Sequence, residues 1–214
     1  MTTIPDVVDE LAGVRPGDPI DALRRRRPVT RDQLQASHDA LLAPIDDAEF
    51  RLAERLLVAA FATRSTADDP TARHYAEAAR VAAPDLAAVV LAEAEAAATA
   101  GPFGVFREAG LRGESTDGRR YEPGAEARGR LGERLAAALA HAHLLTFRPR
   151  EADDEAQRRL RDAGWGVDGI VTLSQLVSFL AFQQRVATGL RVLASISGAA
   201  QRPDQPSHDQ EVPA

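Results

Sequence analysis

Leu52-Ala53-Glu54-Arg55-Leu56 and Leu131-Gly132-Glu133-Arg134-Leu135 share the pattern Leu-x-Glu-Arg-Leu. Each opens an Ala/Leu-rich run of helical periodicity, and each is followed by a polar helical segment and then an apolar one. That is the outline of a duplicated helical unit. No segment carries the sustained two-residue alternation of a half-buried strand, so the expected class is all-α. The repeat units fall at about residues 47–100 and 127–193, inside one helical domain spanning 46–198. An N-terminal arm and helix (1–45) precede the domain, and a Pro-rich tail (199–214) reads as disordered.

Local signals place the elements. Residues 6–12 read as a helical turn, and 13–28, with Pro16, Gly17 and Pro19, as an irregular arm. Thr30 with Gln33, and Asp46 with Glu49, have capping-box spacing for helices ending by Pro44 and at about Ser65. The second of these is apolar almost all round and belongs at the centre of the fold. Asp69-Pro70 starts a helix to about Ala82, and Pro84 starts another that Gly101 ends. The Gly-rich segment 101–124 carries Phe103, Phe106 and Tyr121 and reads as a lid, an arm or a disordered stretch. Helices at about 127–147, 150–163 and 167–193 complete the second unit.

Composition narrows the chemistry. With 44% hydrophobic and 27% charged residues over 214 positions, the chain has the profile of a globular protein with a real core. Its net charge of -6 offers no general attraction to nucleic acid or anionic lipid. The Arg24–Arg27 run is the exception, read as a solvated segment pairing with acidic helices. Zero cysteines exclude disulfides, thiolate nucleophiles and thiolate metal sites. There is no lysine either, which excludes a Schiff base. No long apolar window and no basic leader precede the domain, so the expected address is the cytoplasm, with no membrane partner. All-arginine basicity with abundant alanine suggests a GC-rich bacterial genome. Phosphate-loop, nucleophile-elbow and zinc spacings are missing, and no cofactor is expected.

Five residues stand out as site candidates. Glu54 shares its helix face with Phe50, Leu57, Val58 and Phe61, which predicts a carboxylate in dry surroundings; the alternative is an ion pair with an arginine from a neighbouring helix. His74 lies about one turn into the next helix. Arg134 is seven residues before His141 and shares its face, predicting a polar pair at the repeat interface. His143, two residues on, points to a different side. Arg185, on the apolar last helix, needs a carboxylate from the protein or from a substrate.

These residues also carry a family resemblance. A glutamate in an apolar helix, a turn, and then His74-Tyr75-Ala76-Glu77-Ala78 resemble the alkylhydroperoxidase D-like and carboxymuconolactone decarboxylase superfamily. Gly164-Trp165-Gly166-Val167-Asp168-Gly169-Ile170-Val171-Thr172-Leu173 and the segment from Phe179 to Leu190 resemble the closing helices of its peroxidase-related branch. The likeness covers roughly residues 50–193. It implies the alkylhydroperoxidase D-like helical fold, a homo-oligomer, and acid/base chemistry by Glu54 and His74 on a small organic molecule oriented by Arg185, Arg134 and His141. The Cys-x-x-Cys of the peroxidase members is replaced by the cysteine-free stretch Ser65–Arg73, so dithiol peroxidase chemistry is denied to the chain. The alternative is a non-catalytic member that binds a small molecule or serves as scaffold partner of a peroxidase-like protein.

Overall fold

The computed structural model describes residues 6–200, with side chains to Ile196. Among these the protein is all-helical, with a single isolated bridge, Gly104 to Thr116, in place of any strand. Three N-terminal helices, α1 (Val7–Ala12), α2 (Pro19–Arg25) and α3 (Pro28–Leu42), precede α4 (Leu52–Thr66), α5 (Pro70–Ala82) and α6 (Pro84–Ala97). After the Gly-rich connection come α7 (Ala125–Phe147), α8 (Asp154–Asp162) and the long α9 (Val167–Ala200). Most of the expected tail, from 201 on, lies outside the described residues; 199 and 200 belong to α9.

α4 is the axis of the core. Leu57, Val58, Ala59, Ala60 and Phe61 are at most 1% exposed, which requires neighbours on every side. α5, α6, α7 and α9 supply them. A helix apolar all round has no stable position except this one. α1, α2 and α3 pack on α9 and add Val8, Leu11 and Leu34 to the same core.

Asp6 caps α1, Asp69 caps α5 through the Ala72 N–H, and Asp153 caps α8 through the Ala156 N–H. The arm expected over 13–28 contains α2, because Pro19 presets the first helical turn and Ile20 is buried. Pro28 likewise starts α3 ahead of Thr30, whose side chain makes no cap. α4 begins at Leu52 rather than near Asp47: Asp46 accepts from the Ala48 N–H and Asp47 from the Leu52 N–H, holding a non-helical turn. Phe50 is thereby free to pack edge-on against Trp165, with ring centroids 4.9 Å apart.

The arginine run divides. Arg24 is buried and bonds Asp6 at 2.8 Å and Asp9, while Arg31 bonds the same two aspartates. Burial alone would raise the Asp6 pKa, but Arg24, the Asp9 N–H and Arg31 outweigh it and hold this carboxyl below its ordinary value. Arg25 bonds both Asp21 oxygens at 2.9 Å; Arg26 and Arg27 are exposed.

Candidate functional site

Glu54 occupies the first turn of α4, too near the helix end for its apolar neighbours to enclose it. Its carboxylate accepts from Arg134 Nε at 3.1 Å and from the Arg51 N–H at 3.3 Å. Arg134 also donates to the carbonyls of Gly164 (2.8 Å) and Glu49 (2.5 Å) and stacks 3.9 Å over Trp165. The indole N–H returns a 2.9 Å bond to the Arg134 carbonyl. One guanidinium therefore fastens the turn before α4 and the turn before α9 to α7. The geometry is that of an ion pair with a neighbouring helix, and it joins the glutamate of one Leu-x-Glu-Arg-Leu segment to the arginine of the other. The reciprocal pair does not form: Arg55 donates to the Phe50 and Leu41 carbonyls, and Glu133 pairs with Arg128.

His74 stands elsewhere. α4 and α5 form a hairpin through residues 67–69, so Glu54 and His74 are separated by roughly 12 Å of helix rise. His74 faces Glu10 of α1 at 3.9 Å and packs edge-on against Tyr75. Its pKa is lowered by burial, with Glu10 opposing and His38 adding to the shift. The two residues share no partner. Arg185 is exposed on α9 and donates to the Ala181 carbonyl of its own helix at 3.0 Å; it has no carboxylate partner among the described residues.

His141 lies on the wall of a cleft of about 870 Å³ between α7, α8 and the Gly-rich connection. The face of α7 turned to it carries Glu133, Ala137, Ala140, His141 and Leu144, one helical stripe. Ala156 and Leu160 of α8, with Ala163 just past its end, oppose this stripe. The connection closes the cleft because it is anchored: the Phe103 N–H bonds the Phe147 carbonyl at 2.6 Å, and Arg148 donates to the Gly118 carbonyl at 2.7 Å. Gly118 lies directly against the Phe103 ring, where a Cβ would come within 2.2 Å of it. Tyr121, buried among Phe61, His143 and the cleft wall, donates to Glu93 at 2.7 Å.

The electrostatics of the cleft are graded. Burial pushes the His141 pKa down to about 4, and burial followed by the nearby arginines does the same to His143, against the Ala97 carbonyl 3.3 Å from its Nε2. Both imidazoles are neutral at pH 7. His141 Nδ1 is buried with no hydrogen-bond partner, and the residue is only 6% exposed. Arg148 bonds Glu151 through two nitrogens at 2.7 and 2.6 Å and holds its carboxyl down at about 2. Arg120 also meets Glu151, and Arg128 and Arg159 meet Glu122. Arg107 and Arg150 have no carboxylate partner among the described residues; Arg150 stacks 3.9 Å over Phe106 and donates to the Phe103 carbonyl. Of the cleft carboxylates, Asp153 caps α8 and Asp162 ends it.

Thus the structure brings Glu54 to Arg134 and sets His141 in a cleft; it does not join Arg134 to His141 or Glu54 to His74. His143, expected on a different side from His141, borders the same cleft, because the cleft spans a wide sector of α7 and the two rings flank its Ala140 stripe. Sequence reasoning missed Arg107, Arg150 and Tyr121, which line the same cleft as His141. The available signal was three aromatics in a glycine-rich segment, a composition that favours folding back over extension. Among the described residues, no group of three or more His, Asp or Glu side chains is placed to hold a metal ion. No family model, curated protein or solved structure matches the chain.

Proposed function

We propose that the cleft between α7, α8 and the Gly-rich connection binds a small organic acid with an apolar body, and that the protein acts through this binding rather than through proton exchange between Glu54 and His74. The observation that carries the reading is His141, a buried, neutral imidazole on the cleft wall whose Nδ1 has no partner. An unmet buried polar atom is costly unless something completes it. Around it, alanines and leucines offer apolar contact, and Arg107 and Arg150 offer uncommitted positive charge near the Phe103–Phe106 end. Clefts of this size with a few convergent polar groups are the usual form of a small-molecule site. In terms of the superfamily resemblance, the chain is then a thiol-free binding member.

The test is calorimetric titration with aromatic and aliphatic monocarboxylates and their uncharged amides. Saturable binding of an acid, weakened at least about tenfold by His141→Phe and by Arg150→Met, supports the reading; the amide should lose less than the acid in Arg150→Met. Absence of saturable binding up to millimolar concentration, or full binding by His141→Phe, overturns it.

A further inference from the structure

Among the described residues three arginines are buried, Arg24, Arg55 and Arg148. Arg24 lies against Asp6 and Asp9, and Arg148 against Glu151. Arg55, only 5% exposed, is paired with no carboxylate among the described residues. Its Nε and Nη1 donate to the carbonyls of Phe50 and Leu41 at 2.7 and 2.9 Å. Carbonyl dipoles carry only partial charge, so these bonds position the guanidinium without neutralising it. Asp46 and Asp47 act on it only from a distance, because each accepts a backbone N–H of its own turn, from Ala48 and Leu52. A guanidinium stays charged at any ordinary pH, and buried without a counter-charge it is costly until an anion completes it.

Such an anion has a place. Arg55 lines a groove of about 830 Å³ between the end of α3, the turn that follows it, and α9. Its Nη2 makes no hydrogen bond among the described residues and is not sealed off in the interior, so it is the nitrogen the groove can reach. The hydroxyls of Ser37, Thr172 and Ser178 are spent on carbonyls of their own helices. The exposed amide of Gln175 is uncommitted among the described residues and supplies a further donor. Leu41, Pro44 and Phe179 make an apolar wall, with Ile45 fully exposed beside them. Asp39 and Asp46 border the groove too, held by Gln35 and by the Ala48 N–H. Their charge sets a limit: one carboxylate is balanced by Arg55, whereas a polyanion such as phosphate is repelled.

We infer that this groove is a second ligand site, in which Arg55 Nη2 and the Gln175 amide hold the carboxylate of an aliphatic monoacid whose hydrocarbon part lies along Leu41, Pro44 and Phe179. It shares no residue with the cleft at His141. A free short-chain acid and the C-terminus of a peptide ending in leucine present the same chemistry.

The test is an NMR titration of the ¹⁵N-labelled full chain with hexanoate, hexanamide, inorganic phosphate and an acetylated tripeptide ending in leucine, each to about 50 mM, since ligands this small bind in the millimolar range. Hexanoate or the peptide should shift the Arg55 Nε–H and the backbone N–H groups of Gln175 and Ser178 saturably, and the tighter of the two names the source. Hexanamide should bind at least about tenfold more weakly, and phosphate should not saturate these shifts. Because Arg55 also fastens the end of α3, the test variant is Ser178→Phe, which fills the groove from an exposed position of α9. It should keep the melting temperature and weaken binding at least about tenfold, while Arg150→Met, in the cleft, should leave the groove shifts unchanged. No saturable shift at these residues, equal binding of acid and amide, or full binding by Ser178→Phe would each overturn the inference. Shifts confined to the surroundings of His141 would overturn it as well, while leaving the cleft reading intact.

Discussion

His141 and His143 carry a pH dependence that can be worked out in sign. Unfolded, each titrates near 6.5; folded, each is pushed down to about 4 by burial. Between those values the unfolded chain binds more protons than the folded one, so stability is full above pH 6.5, falls as the pH drops, and loses nothing further from these groups below about 4. The contribution is of the order of 3 kcal/mol per histidine. Urea melts at pH 7 and pH 5 should show about 2 kcal/mol of this loss per histidine, and His141→Phe should reduce the difference by about that amount; an unchanged difference would place the titration elsewhere. Glu54→Gln is the complementary case. The pair with Arg134 is part-exposed, and Arg134 keeps two carbonyls and the Trp165 face, so the expected cost is about 1 kcal/mol rather than the 3–5 of a fully buried pair. Arg134→Ala removes the whole fastening and should cost clearly more in the same melts, with Trp165 fluorescence as the reporter.

Two elements depend on particular backbone positions. α7 is broken at Gly132, where φ is +75° and ψ +157°, a region open in practice to glycine alone. Nothing lies within 4 Å of the site a Cβ would take, so Gly132→Ala tests conformation without a clash and should destabilise by about 1–3 kcal/mol in chemical denaturation. The same break explains why the second Leu-x-Glu-Arg-Leu segment does not simply repeat the first: in one the pattern starts a helix, in the other it straddles a kink. At the N-terminus, Arg24→Met would leave Asp6 and Asp9 with Arg31 as their arginine partner and should cost about 3 kcal/mol, whereas Arg26→Met at an exposed position should stay within about 0.5. Equal effects would mean that the buried network contributes nothing particular.

For the whole molecule, the sequence alone determined what depends on neighbours along the chain. Helical periodicity, the Asp69 cap before Pro70, and the all-round apolar run of α4 each rest on interactions within a few residues or on total burial, and each is found where those rules put it. The absence of cysteine and lysine settled which nucleophiles the chain lacks. Other outcomes required partners distant in sequence. Pairing of Glu54 with Arg134 spans 80 positions, and nothing near Glu54 announces it. No helical wheel shows that Arg24 would be buried while Arg26 stays exposed, because Asp6 and Asp9 reach it from another helix. The cleft exists because the Gly-rich connection folds back onto α7 and α8, held by the Phe147 carbonyl and Arg148. Periodicity assigns a residue to a face of its own helix; only tertiary packing decides whether that face meets core, solvent or a cavity, and so placed His141 in the cleft and Arg185 in the open.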